Sequence, residues 1–223
     1  MATTIVIGSD SGVGFEVAKR FGKGGQRIVL VSRNQAKLTD ATDKLIELGV
    51  LASNYVCDAN DFQAIEQMMK TLTDKYEDIT NLVFNVGNKH LDDALSSDIN
   101  LIEEIFSTNV TSAIVSARSF IEETDSTLKR AIIFTGGGAA IRPSAKASTL
   151  SLTKAALRSY AYTLHDQVAS QNIYVGLVTI QGLIGTTPEM APENIAETYW
   201  NMLQQRQPVE TFYPEHVSGS EFK

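Results

Sequence analysis

A chain of 223 residues, 43% hydrophobic and 20% charged, is long enough to bury a large core and short for two full domains. Its net charge of -7 argues against nucleic acid or an anionic membrane surface as partner, since both need a basic face. No apolar run reaches the roughly 18 residues of a membrane span, and the single cysteine, Cys57, excludes an intrachain disulfide and suits a reducing compartment.

Strand-like apolar runs recur at residues 4–7, 27–31, 51–56, 82–85, 131–135, 174–179 and 210–213, with helical stretches between them. Strands alternating with helices predict an α/β fold: one Rossmann-like, doubly wound parallel sheet of about seven strands, helices on both faces, ligands at the carboxyl ends of the strands. Capping-box patterns starting at Asn60 and Asn100 predict two helix starts, Asn34 predicts another, and Pro192 suits a first helical position ahead of residues 193–205. No repeat, linker or metal-ligating pattern is read. We expect one dinucleotide-binding domain over residues 1–213 and a short polar tail over 214–223. No basic segment followed by an apolar one precedes the first strand, so the expected location is the cytoplasm.

The first strand empties into Gly8, Ser9, Asp10, Ser11, Gly12, Val13 and Gly14, a G-x-x-x-G-x-G spacing that opens a helical pattern. A diphosphate needs donors without steric bulk, and glycines leading into a helix N-terminus present backbone N–H groups and the positive end of the helix dipole. Gly8 is expected to turn the chain, Gly12 to let the backbone approach the ligand, and Gly14 to let helix pack on strand. Cys57 ends an apolar run and reads as a small, half-buried core residue rather than a reactive thiol.

This spacing is the one used by the short-chain dehydrogenase/reductase family, and the chain resembles that family over nearly its whole length. Asn85, Val86 and Gly87 look like the family's Asn-Ala-Gly segment after the fourth strand, and Asp58 with Ala59 like its Asp-Val pair after the third. Gly182, Ile184 and Thr186 fall in a segment similar to its Pro-Gly-x-x-x-Thr, with Gln181 in place of the proline. The resemblance implies hydride transfer between a nicotinamide dinucleotide and a small carbonyl or alcohol. It also implies a Tyr-x-x-x-Lys pair on one helix, a Ser before the Tyr, and an Asn on the preceding helix. Lys154 fills the lysine position and Asn109 the asparagine position, but Leu150 stands where the tyrosine belongs and Gly137 where the serine belongs.

Leucine has no proton to give, and removing a positioned general acid typically costs about 10² to 10⁴ in rate. Ordinary ketone reduction by the family mechanism is therefore not expected. Ser148, Thr149 and Ser151 point elsewhere on the helix, and Lys146 shares the face of Leu150 only if the helix already exists there. Tyr160 and Tyr162 read as packing or subunit-contact residues. His90, in the loop after the fourth strand, is the remaining alternative acid, weighed against an exposed histidine with no chemistry.

Ser32 and Arg33 end the second strand. Arginine there pairs with the 2′-phosphate of NADP, so NADP is preferred over NAD, against the reading of a solvated arginine and with Asp10 placing a negative charge nearby. Asp58 is expected at the adenine by resemblance, or else as a loop-start carboxylate. Two functions stay open: an oxidoreductase with a non-standard site and an unknown small-molecule substrate, or a catalytically silent nucleotide-binding sensor or assembly protein. Relatives pair the long helices at residues 100–123 and 148–169, so a homodimer or homotetramer is expected, with Ile105, Val110, Ile114, Leu157, Tyr160 and Leu164 supplying the apolar contact. Few residues separate Thr186 from Pro192, leaving little room for a lid over the site.

Overall fold

Uninterrupted β-branched and aromatic runs cannot leave either face in water, so they stack into one sheet covered on both sides. The computed structural model describes residues 1–216, in which each predicted run becomes a strand. The strands are β1 (Thr3–Ile7), β2 (Arg27–Ser32), β3 (Ala52–Val56), β4 (Ile79–Phe84), β5 (Arg130–Gly137), β6 (Ile173–Ile180) and β7 (Glu210–Tyr213). The helices are α1 (Gly12–Lys23), α2 (Gln35–Glu47), α3 (Phe62–Lys75), α4 (Ile99–Phe106), α5 (Ser112–Glu123), α6 (Ser148–Val168) and α7 (Pro192–Gln205). All neighbouring strands run parallel in the order β3-β2-β1-β4-β5-β6-β7. The order reverses between β1 and β4, and such a switch point opens a crevice at the strand ends.

Two cores flank the sheet. On one face Ile5, Phe84, Phe134 and Leu177 pack against α3, α5 and α6 through Met68, Phe120 and Leu157. On the other, Val6, Leu30, Ile133 and Val178 pack against α1, α2 and α7 through Phe21, Leu38 and Tyr199. Full burial of one such large side chain contributes about 1.5–3 kcal/mol, so these layers hold the strand ends rigid beneath the loops.

The helix starts refine the expectation. Asn34 caps α2 by accepting from the Lys37 amide at 3.0 Å, and Pro192 opens α7. The cap of α3, however, is Asp61 rather than Asn60, accepting from the Ala64 amide at 3.0 Å, and that of α4 is Asp98 rather than Asn100. In both places a carboxylate one or two residues away wins the cap. The expected single helix over 100–123 is interrupted by a π-helical turn, Ser107–Thr111.

Four of the six residues expected on an outer contact face are turned inward. Ile105, Val110, Leu157 and Leu164 are buried within the chain, leaving only Ile114 and Tyr160 partly accessible. The exposed residues of α5 and α6 include Leu152 and Ala155 beside polar ones such as Arg118 and Ser159. Among the described residues no helix is long and apolar enough to cross a membrane. Of the expected tail, residues 217–223 lie outside the described residues.

Candidate functional site

The loops after β1 to β6 surround one cleft of about 1640 Å³ at the carboxyl ends of the strands. Gly8, Asp10, Ser11, Gly12, Val13, Ser32, Arg33, Asp58 and Ala59 line one end. Asn85, Val86 and Gly87 line the middle, and Gly137, Leu150, Lys154, Gly182, Ile184 and Thr186 the other end. Ser9, Gly14 and Asn109 do not line it; they lie beneath the surface and act through their neighbours.

The glycine loop is built by close approach. A Cβ on Gly14 would stand 2.1 Å from the Gly8 carbonyl oxygen and 2.8 Å from Asn85 Nδ2, so α1 sits against β1 only because the side chain is absent. Gly12 has φ +59 and open space where a Cβ would point. Ser11, at the start of α1, gives the helix no side-chain cap, so the first-turn N–H groups face the cleft. Ser9 is fully buried, and its hydroxyl bonds the Val6 carbonyl and accepts from the Val31 amide, locking the loop to β1 and β2. These features fit a diphosphate.

A buried chain of hydrogen bonds fixes this cradle, and no sequence pattern announces it. Tyr199 on α7 lies 2.8 Å from Thr135 Oγ1; Thr135 donates to Asn85 Oδ1 at 2.9 Å; Asn85 Nδ2 donates to the Gly8 carbonyl at 3.0 Å. With one hydroxyl proton on Thr135, the Tyr199 hydroxyl is the donor at its end. Partners 50 to 77 residues apart in sequence thereby hold β1, β4 and β5 in one arrangement.

Lys154 shares that anchor. Its ammonium is buried and donates to the Thr135 carbonyl at 2.8 Å, and burial, with the like charge of Lys89, pushes it down to about 8. Asn109, on the π-helical turn, is fully buried and engaged at both ends of its amide: it accepts from the Asn88 amide at 2.6 Å and donates to the Asn88 carbonyl and to Thr153 Oγ1. It therefore holds the loop after β4 against α6 and reaches no ligand through its side chain. A π turn re-aims one side chain without ending the helix, and here that side chain is Asn109. Leu150 lines the cleft one turn before Lys154, and the atoms nearest a Cβ at Gly137 would be Lys154 methylenes, at 3.6 to 3.7 Å.

The other candidate acids fall away from this point. His90 lines a separate small hollow with Asp92 and Leu101. Tyr160 packs edge-on against Phe134, and Tyr162 donates to Glu210. Thr149 is held by Asp92, while Ser151 bonds the Ala147 carbonyl and the Ser144 amide. Lys146 lines the cleft but precedes α6, so it does not share a helical face with Leu150.

At the opposite end, Arg33 is exposed and forms no ion pair among the described residues. Asp10 is held there by the Ser32 hydroxyl at 2.6 Å and by Ser11 at 3.0 Å. Asp58 accepts from the Asn60 amide at 2.9 Å, as a loop-start carboxylate does, and also lines the cleft. Burial, then Asp61 and Asp58, push the Cys57 thiol up to about 11, which makes it a poor nucleophile. Gln181, in place of a proline, ties β6 to the segment after β7: its side chain donates to the Pro214 carbonyl and accepts from Arg142 at 2.7 Å.

Comparison with known proteins agrees with this architecture. The family model of short chain dehydrogenases matches residues 2–195, and the chain belongs to that family. It is 28% identical over 166 residues to short-chain dehydrogenase/reductase SDRA of Arabidopsis thaliana, covering 74% of this chain and 65% of that protein. It is 27% identical over 183 residues to the human mitochondrial dehydrogenase/reductase SDR family member 2, covering 82% of this chain and again 65% of the relative. The matched region thus spans slightly less than two thirds of these relatives. Among solved structures, a short-chain dehydrogenase from Sphingobium yanoikuyae in complex with NADPH superimposes with a TM-score of 0.86 at 23% identity, over 97% of this chain and 89% of that one. An actinorhodin polyketide ketoreductase with NADPH gives a TM-score of 0.87 at 19% identity, over 96% and 97%. At these identities the structures establish the fold.

Proposed function

We propose that the protein is an NADP(H)-dependent oxidoreductase that moves a hydride to or from a small carbonyl, enone or quinone compound, through a site without the family's phenol. The observation that carries this reading is the cleft itself. Its glycine loop, Arg33, Asp58 and Lys154 are disposed for a dinucleotide, and relatives of the same fold have been solved with NADPH. In this reading Gly12, Val13 and the first turn of α1 meet the diphosphate, with Gly8, Ser9, Asp10, Ser11 and Gly14 shaping the loop. Ser32 and Arg33 take the 2′-phosphate, Asp58 and Ala59 the adenine, and Asn85, Val86 and Gly87 line the path between. Lys154 serves the ribose next to the nicotinamide, and Gly182, Ile184 and Thr186 lie along the nicotinamide itself.

The bound dinucleotide supplies or accepts the hydride. Lys154 contributes hydrogen-bond donors where it is buried, and Asn109 positions the loop carrying Lys89. Leu150 and Gly137 offer no side-chain proton, so a substrate oxygen takes its proton from water in the open cleft, or the hydride goes to carbon in an activated acceptor. Residues 1–213 form the working domain, in a homodimer or homotetramer in the cytoplasm. Calorimetric titration with NADPH and NADH, followed by cofactor oxidation with a carbonyl, quinone and enone panel, tests the reading. Tighter NADPH binding and turnover of at least one acceptor are expected. Failure of both cofactors to bind overturns it, and binding with no turnover turns it toward a silent nucleotide-binding protein.

A further inference from the structure

The dinucleotide reading uses the charges at one end of the cleft, together with Lys154, and leaves the other cations at the far end unexplained. Acidic lining residues stand on the adenosine side: Asp10 after β1, Asp58 after β3, and Glu104 on α4, one turn before Thr108, whose hydroxyl bonds Asn60 of the β3 loop at 2.9 Å. Past β4 the sign changes. Lys89 on the β4 loop, Arg142 and Lys146 on the β5 loop, and Lys154 on α6 line the cleft, and among the described lining residues no carboxylate joins them there. This happens in a chain with 26 acidic and 19 basic residues, where a one-sided cationic wall runs against the composition.

The carboxylates of the same loops are engaged elsewhere. Asp92 accepts from the Thr149 amide and from Ser97, and Asp93 from the amides of Leu95 and Ser96; both line the neighbouring hollow. Arg142 is steadied by Gln181, while Lys89, Lys146 and Lys154 form no ion pair among the described residues. Lys89 and Lys154 are close enough to repel, a cost that an anion between the loops would offset. Leu150 and Leu183, the latter 76% exposed, line the same cleft and give it apolar surface for an uncharged molecular body.

We propose that this end of the cleft binds an anionic carbonyl compound, its carboxylate met by Lys89 and Lys146 and its apolar body laid on Leu150 and Leu183. The proposal rests on the oxidoreductase reading for the word carbonyl, and on the charge pattern alone for the word anionic. It identifies oxo acids and carboxylated aldehydes as the substrate class, and neutral ketones as poor ligands. Each exposed charge pair is worth a few-fold in affinity and is screened by salt, so two acting together give roughly a tenfold preference.

The test is calorimetry of terephthalaldehydic acid and of its methyl ester, each added to protein saturated with NADP⁺ and to free protein. Wild type is expected to bind the acid about tenfold more tightly than the ester, with the gap narrowing as salt rises. Lys89→Gln with Lys146→Gln, both exposed and remote from the core, should bring acid and ester within about twofold of each other. Equal binding of acid and ester by wild type overturns the proposal, as does a double variant that keeps the preference. Loss of acid binding once NADP⁺ is present also overturns it, because the acid was then occupying phosphate positions. A parallel NADPH titration separates the two readings. NADPH binding without acid preference leaves the oxidoreductase reading standing, and acid preference without NADPH binding leaves the anion site standing alone.

Discussion

Restoring the two missing groups tests whether the missing acid limits carbonyl chemistry. Gly137 lies in extended backbone at φ -164, which any residue adopts, and its Cβ would meet Lys154 methylenes at ordinary contact distance, so serine enters without strain. Leu150 faces the cleft one helical turn before Lys154, so a tyrosine there brings its phenol onto the same face as the ammonium. General acid catalysis is worth about 10² to 10⁴, and one oxyanion donor about 10² to 10³. The surrounding residues were not shaped for a phenol, so only part of this is realised, and we expect at least about tenfold from Leu150→Tyr with Gly137→Ser. The assay is NADPH oxidation by a small activated ketone, with NADPH affinity measured in parallel to show that the cradle is unchanged. If wild type already reduces the ketone briskly and Leu150→Tyr slows it, another residue is the acid and the reasoning fails.

Arg33→Ala is expected to weaken NADPH binding by roughly 1.5–3 kcal/mol and to leave NADH nearly unchanged; equal losses in calorimetry refute the 2′-phosphate assignment. Lys154 carries a pH signature: its ammonium falls from 10.5 to about 8 on folding. Between those values the unfolded chain holds a proton that the folded chain has lost, so stability rises with pH across that window, by up to about 3 kcal/mol, while below it the penalty of the buried charge is constant and adds no pH dependence. Lys154→Met should lack that rise in urea melts compared between about pH 7 and about pH 10, and parallel slopes for variant and wild type contradict it. Sedimentation should show a homodimer or homotetramer at micromolar concentration, and Leu152→Glu, at a position 53% exposed on α6, should shift it toward monomer; a monomeric wild type removes the oligomer from the proposal.

The strands are legible in the sequence because a doubly covered sheet demands continuous apolar runs, and those runs have few other uses. The glycine loop is legible for a related reason: Gly14 has no tolerance for a Cβ, so the constraint is written in the residue type itself. The caps are less so. Asn60 and Asp61, like Asp98 and Asn100, are competing polar residues in one short stretch, and only the chain's entry angle decides which reaches the first-turn amides. The outward face of α4 and α5 is hidden from a regular helical spacing, because the π turn at Ser107–Thr111 rotates α5 relative to α4. The side-chain bonds of that turn that tie it to other elements run from Asn109 to Asn88 and Thr153 and from Thr108 to Asn60, which sequence separation hides. The α6 start is similar: Ala147 offers no cap, and Asp92, 57 residues before Thr149, supplies it.

Thr135 explains how a site can lose its acid and keep its cradle. Its hydroxyl belongs to the chain that holds the Gly8 carbonyl, and its backbone carbonyl receives the Lys154 ammonium, so one residue of β5 supports both ends of the cleft. Leu150 and Gly137 belong to neither set of bonds. A leucine at 150 leaves the helix and the Lys154 anchor as they are, and a missing Cβ at 137 removes only a contact with Lys154 methylenes. The chemistry-bearing positions are therefore mechanically independent of the binding positions, whereas Lys154 is not, because its bond to β5 gives it structural work whether or not a phenol stands beside it. Retention of Lys154 in this chain accordingly speaks for the cradle, and the choice between turnover and silent binding falls to Leu150, Gly137 and the cations around them.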